Sequence, residues 1–133
     1  MFSPAESASY ETLRQRMVNS QLRARGITDE RVLAAMGRVP RHEFTPERYR
    51  DQAYQDHPLP IAEGQTISQP YIVAIMLEAL SLRGHEKVLE IGTGSGYVTA
   101  LLGELAAEVI SIERHRALAD SARELLARMG YAN

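Results

Sequence analysis

The spacing of apolar residues changes from strand-like to helical at one clear position in this chain, just after residue 91. An apolar run with Val88, Leu89 and Ile91 stops at three glycines on alternate positions, and a helical pattern follows from Tyr97 through Leu105. The pattern predicts a strand, a tight turn and a helix. Glycines suit such a turn because a Cβ would block either a positive φ or the close approach of a ligand to the backbone.

A second strand and an amphipathic helix are predicted beyond this turn. The apolar segment 109–112 ends on Glu113, and residues 115–129 place their apolar side chains on one face before Gly130. Two strands joined by a helix predict a βαβ unit with parallel strands, so we assign the chain to the α/β class.

Short helical elements are predicted before this unit. The first seven residues are rich in Ser, Ala and Pro, and we expect them to be a loose lead. A helix is predicted from Tyr10 to the stop at Gly26, a short helix follows with Thr28 or Asp29 as its cap, and Thr45–Pro46 has the sequence of a helix start. The arginines of the first helix form either a basic face or, as we favour, a solvated side balanced by nearby acids.

Two polar segments lie between these helices and the glycine turn. In the first, residues 56–64, prolines on alternate positions exclude a helix or a central strand and predict an extended edge segment that turns at Gly64. His57 in this segment is either a catalytic candidate or, as we favour because it has no visible partner, a loop residue.

The second polar segment, residues 65–69, leads into an apolar helix. Ser68 or Gln69 is expected to cap this helix, Pro70 lies near its first turn, and the helical pattern ends at Gly84. Its apolar positions cover most of the circumference, which predicts a largely buried helix. The loop is placed to cover a ligand at the glycine turn; the alternative is that Ser68 only caps the helix.

The glycine spacing restricts the kind of ligand. The dinucleotide pattern G-x-G-x-x-G would need glycine where Tyr97 stands, and no Lys follows the last glycine as in a P-loop. Glu90, just before the turn, suits a ligand that carries positive charge or hydrogen-bond donors. Glu113, 17 residues past Gly96, is placed to accept hydrogen bonds from ribose hydroxyls. This order of acid, glycine turn, helix, strand and acid is typical of S-adenosylmethionine-dependent methyltransferases; the alternative is that both acids only cap strand ends.

Composition narrows the class of protein further. The chain has 133 residues, which suit one modest core, and a net charge of -2, which gives no electrostatic basis for binding nucleic acid or an anionic membrane. There is no cysteine, so we expect neither a disulfide nor a thiolate metal site, and we assign no metal. The longest apolar run is far shorter than the roughly 20 residues that cross a bilayer, and no signal peptide is visible. We expect a cytoplasmic protein.

Two segments together resemble a known family, the protein-L-isoaspartate O-methyltransferases. The resemblance extends from about Met17 to Asn133, and the polar loop combined with the glycine turn is more specific than the turn alone. The motifs that carry it are Arg25-Gly26-Ile27, Val39-Pro40-Arg41, Leu59-Pro60-Ile61, Gly64-Gln65-Thr66-Ile67-Ser68-Gln69-Pro70 and the ten residues from Val88 to Tyr97.

The resemblance implies an architecture. The chain corresponds to the N-terminal part of a Rossmann-like doubly wound methyltransferase sheet with an N-terminal helical cap. We expect residues 1–63 to form the cap and an extended edge segment, and residues 64–133 to form a partial S-adenosylmethionine-binding domain within one compact unit.

The resemblance also implies a reaction and a site. The family transfers a methyl group from S-adenosyl-L-methionine to the free carboxylate of L-isoaspartyl residues in aged proteins, a repair reaction that leaves S-adenosyl-L-homocysteine. Ser68 takes the position of the family's active-site serine, and isoaspartyl peptides are the implied partners. The expected cofactor contacts are Gln65, Thr66 and Ile67 in the loop, Gly92, Gly94 and Ser95 at the amino-acid end, Glu113 at the ribose, and Glu90, Thr93 and Gly96 beside them.

The sequence departs from the family at its end, because the family's later strands are not present. We expect a fragment of a full enzyme; a chain completed by another chain and a short inactive relative that serves as a binding or interaction module are the alternatives. A methyltransferase for small molecules or RNA is a further alternative that the polar loop disfavours. In this chain by itself the first strand leaves one edge bare, and we expect that edge to be a surface for self-association.

Overall fold

The protein is described here by a computed structural model that covers residues 2–133. Its five α-helices within that range are α1 (Pro4–Arg16), α2 (Glu30–Arg38), α3 (Pro70–Leu80), α4 (Tyr97–Leu105) and α5 (Arg116–Arg128). The strands are β1 (Leu59–Pro60), β2 (Thr66–Ile67), β3 (Lys87–Ile91) and β4 (Glu108–Ile112). None of these helices has the length and apolar character needed to cross a membrane.

The predicted βαβ unit is confirmed. β3 and β4 are parallel, with Glu90 opposite Ser111 and Ile91 opposite Ile112, and α4 connects them. β1 and β2 form a separate short antiparallel hairpin, which matches the extended segment expected to turn near Gly64. The fold is therefore α/β, as expected.

The N-terminal elements pack on this unit and form most of the core. A π-helical turn (Met17–Leu22) and a 3₁₀ turn (Arg23–Arg25) continue α1, and Gly26 ends the run with φ of 95°. α2 packs against α3 and α4, and α3 packs against the π-helical turn. The fully buried side chains include Met17, Leu22, Leu33, Met36, Val73, Leu77 and Leu101.

Two expectations for the cap were wrong. The predicted loose lead is the first part of α1, because the Ser3 side chain accepts from Glu6 N while the Glu6 carboxylate accepts from Ser3 N; Met1 lies outside the described residues. Thr45 does not cap a helix, since its hydroxyl donates to Arg41 O, and only a 3₁₀ helix follows (Glu47–Gln52).

The expectation that α3 is largely buried was also wrong. Ile72, Ile75, Met76 and Leu80 are 41–53% exposed, and only the opposite side of the helix packs on the cap. One face of the β3–β4 sheet is similarly open, since its apolar side chains Leu89, Ile91, Ile110 and Ile112 are 44–73% exposed.

Candidate functional site

A cleft of about 450 Å³ lies where the glycine turn, the loop after β2 and α3 meet. It brings together eight of the eleven predicted site residues, which come from two segments more than 20 positions apart. These residues are Thr66, Ile67, Ser68, Glu90, Gly92, Thr93, Gly94 and Ser95. Apolar side chains of α3 and β3, such as Met76, Leu80 and Leu89, complete the wall.

The glycine turn is fixed by the end of β4. Gly92 N donates to Ile112 O at 2.7 Å, and Gly94 N donates to Glu113 Oε1 at 3.0 Å. Glu113 Oε2 accepts from His115 N at 2.8 Å, so one carboxylate joins the turn to the start of α5. These backbone donors, led by that of His115, lower the pKa of Glu113. Glu113 lines a neighbouring cleft together with Thr93, and its contact with a ribose stays a prediction.

Glu90 lies beneath the turn in a small polar cluster. Its Oε1 accepts from Thr99 Oγ1 at 2.5 Å and from Ser111 Oγ at 2.6 Å, and Ser111 Oγ is also 2.5 Å from Thr93 Oγ1. Burial raises the pKa of Glu90, while the two hydroxyls act to lower it. The cluster holds a carboxylate at the floor of the cleft, where a ligand cation or donor would be attracted.

Sequence reasoning missed Thr99 and Ser111 as partners of this acid. Ser111 had a detectable signal, because the alternation along β4 places it on the face of Glu90, directly opposite it in the register. Thr99 lies in the first turn of α4, and its contact depends on how that helix packs on the sheet.

A buried arginine supports the loop that carries Ser68 (residues 65–69), which we call the Ser68 loop. Arg41, with 0% of its surface exposed, donates from Nη2 to Ser68 O at 2.9 Å and from Nε to Ala53 O at 2.6 Å. Its guanidinium lies over the Tyr97 ring, 5.0 Å from the centroid. Burial lowers the pKa of Arg41, yet a guanidinium remains charged in proteins. Burial also raises the pKa of Tyr97 to about 12, so the ring beside the cation is neutral at pH 7.

The hairpin reaches across the glycine turn toward α5. A Cβ at Gly94 would lie 3.6 Å from Ile61 Cδ1, and Glu63 Oε2 is 3.8 Å from His115 Nδ1. The hairpin thus covers one side of the turn and brings the loop before Ser68 close to it.

Two further predicted contacts lie outside the cleft. Gln65 is exposed, and its side chain donates to Glu63 O. Gly96 is packed against α5, where a Cβ would meet Ala122 Cβ at 3.2 Å, so the structure gives this glycine a packing role. Their contacts with a cofactor stay predictions.

His57 also lies away from the cleft, and among residues 2–133 its ring bonds only Pro58 O and the side chain of Gln55. In residues 2–133 no group of three or more His, Cys, Asp or Glu side chains is arranged to hold a metal ion.

Comparison with known proteins gives the same family over nearly all of the chain. The family model described as Protein-L-isoaspartate(D-aspartate) O-methyltransferase (PCMT) matches residues 13–133. The protein-L-isoaspartate O-methyltransferase of Syntrophus aciditrophicus is 60% identical over 124 residues, which are 93% of this chain and 57% of that protein. The one from Methanoculleus marisnigri is 65% identical over 117 residues, which are 88% of this chain and 53% of that protein.

Solved structures agree with the sequence matches. A protein-L-isoaspartate O-methyltransferase superposes with a TM-score of 0.77 at 30% identity, covering 93% of this chain and 40% of its own. A Plasmodium falciparum beta-aspartate methyltransferase, crystallised with S-adenosyl-L-homocysteine, gives a TM-score of 0.71 at 28% identity and covers 86% and 55% of the two chains. The chain spans about half the length of the curated relatives it matches.

Proposed function

This chain belongs to the protein-L-isoaspartate O-methyltransferase family, and from that premise we propose that it contributes the cofactor site and the active-site serine to methyl transfer onto L-isoaspartyl residues. The observation that carries the proposal is the single cleft that contains both Ser68 and the glycine turn. Neither segment alone would distinguish this reaction from other methyl transfers.

The residues of the cleft fit S-adenosyl-L-methionine. Gly92 has open space where a Cβ would stand, so a ligand can lie against the backbone there. Glu90 provides negative charge for an ammonium or sulfonium group, and the apolar wall suits an uncharged ring. When bound, this cofactor supplies an activated methyl group. We assign its binding to the loop residues Gln65, Thr66 and Ile67, the turn residues Gly92, Thr93, Gly94, Ser95 and Gly96, and the acids Glu90 and Glu113.

The chain's own residues need to supply position more than proton transfer. The carboxyl group of an isoaspartyl residue is ionised at pH 7, so its oxygen is already a nucleophile and no general base is required. The protein must align that oxygen with the methyl group. The Ser68 hydroxyl can donate a hydrogen bond to the carboxylate and orient it without accepting a proton.

Ser68→Ala tests the assignment of the serine. In a complete enzyme that contains this chain, we expect methyl transfer from labelled S-adenosyl-L-methionine to an isoaspartyl peptide to fall by about a hundredfold, because misplacing the reacting atoms costs roughly that much. Affinity for S-adenosyl-L-homocysteine, measured by calorimetry, should change less than about threefold. Ser121→Ala, on the exposed side of α5, is the matched control and should change neither quantity. Equal losses in rate and affinity would contradict the role of Ser68.

A cofactor-binding or interaction module without activity is the second candidate, since the cleft by itself can account for cofactor binding. Calorimetric binding without methyl transfer would support it.

The two parts we propose within the unit are residues 1–63 and 64–133. Further proposals are cytoplasmic residence, supported by the absence of cysteine, and no role in nucleic-acid binding, supported by the net charge of -2.

A further inference from the structure

We propose that Arg41 is a positioning residue that sets the location of the Ser68 loop relative to the glycine turn. The link between this inference and catalysis rests on the proposed function. Its structural part, that one buried guanidinium holds three segments in register, is independent of that function.

The three contacts of Arg41 come from three separate parts of the chain. Ala53 follows the 3₁₀ helix of the cap, Ser68 precedes α3, and Tyr97 is the first residue of α4, directly after the glycine turn. The Nε and Nη2 donors belong to one rigid plane, so the two carbonyl oxygens they bond are held at a nearly fixed separation. The Tyr97 ring lies against the guanidinium and sets where this pair of carbonyls lies relative to the turn.

In the part of the chain that the structure describes, no acidic side chain pairs with Arg41 to explain the burial of its charge. Within residues 2–133, Arg41 donates hydrogen bonds to backbone carbonyls and forms no salt bridge with a carboxylate. A buried cation is costly unless polar groups surround it. The carbonyls of Ala53 and Ser68 and the face of Tyr97 meet part of that need, and only when the three segments are correctly placed. Nη1 of Arg41 is buried without a hydrogen-bond partner in residues 2–133. Arg41 therefore favours one arrangement of the cleft.

The contact leaves the functional group of Ser68 available. Arg41 bonds the backbone oxygen, whereas the Ser68 hydroxyl makes no hydrogen bond to any group in residues 2–133. A second contact holds the next residue, since Gln69 Nε2 donates to Asp56 Oδ1 at 3.3 Å. The backbone of residues 68 and 69 is thus fixed by neighbouring residues, and the Ser68 hydroxyl remains available to a ligand in the cleft.

Arg41→Lys is the decisive variant, because it keeps the charge and removes the fork. Arg31→Lys is the matched control: Arg31 also donates from Nη2 to a carbonyl, that of Leu105 at 3.0 Å, away from the loop. We expect hydrogen exchange in residues 64–71 to rise about tenfold in Arg41→Lys, while exchange in β3 changes less than twofold. The ¹³C resonance of the Ser68 carbonyl should move upfield. Equal changes in the loop and in β3, or none in the loop, would overturn the proposal.

A cofactor titration connects the positioning to the proposed function. Arg41→Lys should weaken binding of S-adenosyl-L-homocysteine by about tenfold, whereas Arg31→Lys should not. If the unchanged protein fails to bind this ligand, the proposed function fails, and the exchange result still decides the role of Arg41. If Arg41→Lys does not fold, the unchanged protein gives the answer: a slowly exchanging Arg41 Nε–H supports the proposal, and exchange as fast as that of an exposed arginine refutes it.

Discussion

At the scale of single residues, two glycines of the turn have similar backbone conformations but different roles. Gly92 and Gly96 have φ of 94° and 92°, so both adopt a conformation that side chains disfavour. The surroundings of Gly92 are open, whereas a Cβ at Gly96 would meet Ala122 Cβ at 3.2 Å and Phe44 Cε1 at 3.6 Å. Gly92 thus leaves room for a ligand, and Gly96 lets the turn pack on α5.

This difference predicts different results for the same substitution. Gly92→Ala should lower the free energy of unfolding by about 1 kcal/mol, the cost of the left-handed conformation. Gly96→Ala should cost about 1–3 kcal/mol more, because an overpacked contact adds to that strain. Urea unfolding measures both values, with Gly92→Ala as the control for backbone strain. Equal losses of unfolding free energy in the two variants would show that the contact of Gly96 with α5 adds no cost beyond backbone strain.

At the scale of elements, α1 is held on the molecule by a group of aromatic rings around His42. The His42 ring stacks on Tyr10 with 3.9 Å between centroids, and Phe2 meets both rings edge-on. His42 Nδ1 lies 2.9 Å from the Tyr54 hydroxyl. Burial, with smaller contributions from the charges of Arg14 and Arg50, lowers the pKa of His42 to about 4.

The depressed pKa of His42 predicts a loss of stability in acid. The unfolded chain takes up a proton near pH 6.5, whereas the folded chain does so only near pH 4. The contribution of His42 is therefore complete above pH 6.5 and declines as the pH falls toward 4, by up to about 3 kcal/mol.

Urea unfolding between pH 7 and pH 4 measures this slope. His42→Gln should flatten it, while His85→Gln, at a highly exposed position, should leave it unchanged. An unchanged slope in His42→Gln would mean that other groups cause the acid sensitivity.

At the scale of the whole molecule, one side of the protein remains apolar and open. Leu89, Ile91, Ile110 and Ile112 are 60%, 73%, 44% and 52% exposed, and the strand alternation places them on the same face of the sheet. The exposed side chains of α3 add to this surface. Apolar patches of this kind, next to an unpaired strand edge, are the usual basis of association.

We therefore predict self-association through this face. Sedimentation equilibrium should show an average mass above that of one chain that rises with concentration. Ile110→Lys, on the open face but outside the cleft, should shift the equilibrium toward the monomer, since a charge there would be buried in the contact. Ala117→Lys, at an exposed position of α5, is the control. A wild-type chain that stays monomeric throughout would contradict the prediction.

Local pattern alone determined much of this molecule. The change of period near residue 91 predicted β3, α4 and β4, and the glycine spacing with the acids at both strand ends predicted the cleft. These features were predictable because side-chain alternation and glycine conformation are local properties. Residues of the 65–69 loop were placed in the site by their resemblance to a family, and Thr66, Ile67 and Ser68 do line the cleft.

Tertiary packing decided the rest. Arg41 under the Ser68 loop, Thr99 and Ser111 around Glu90, and the open side of α3 all depend on residues that are distant in sequence. No periodicity encodes such contacts, since they form only when separate segments meet. The start of α1 was missed for a different reason: the capping box of Ser3 and Glu6 is local, but the composition of the segment suggested a loose lead.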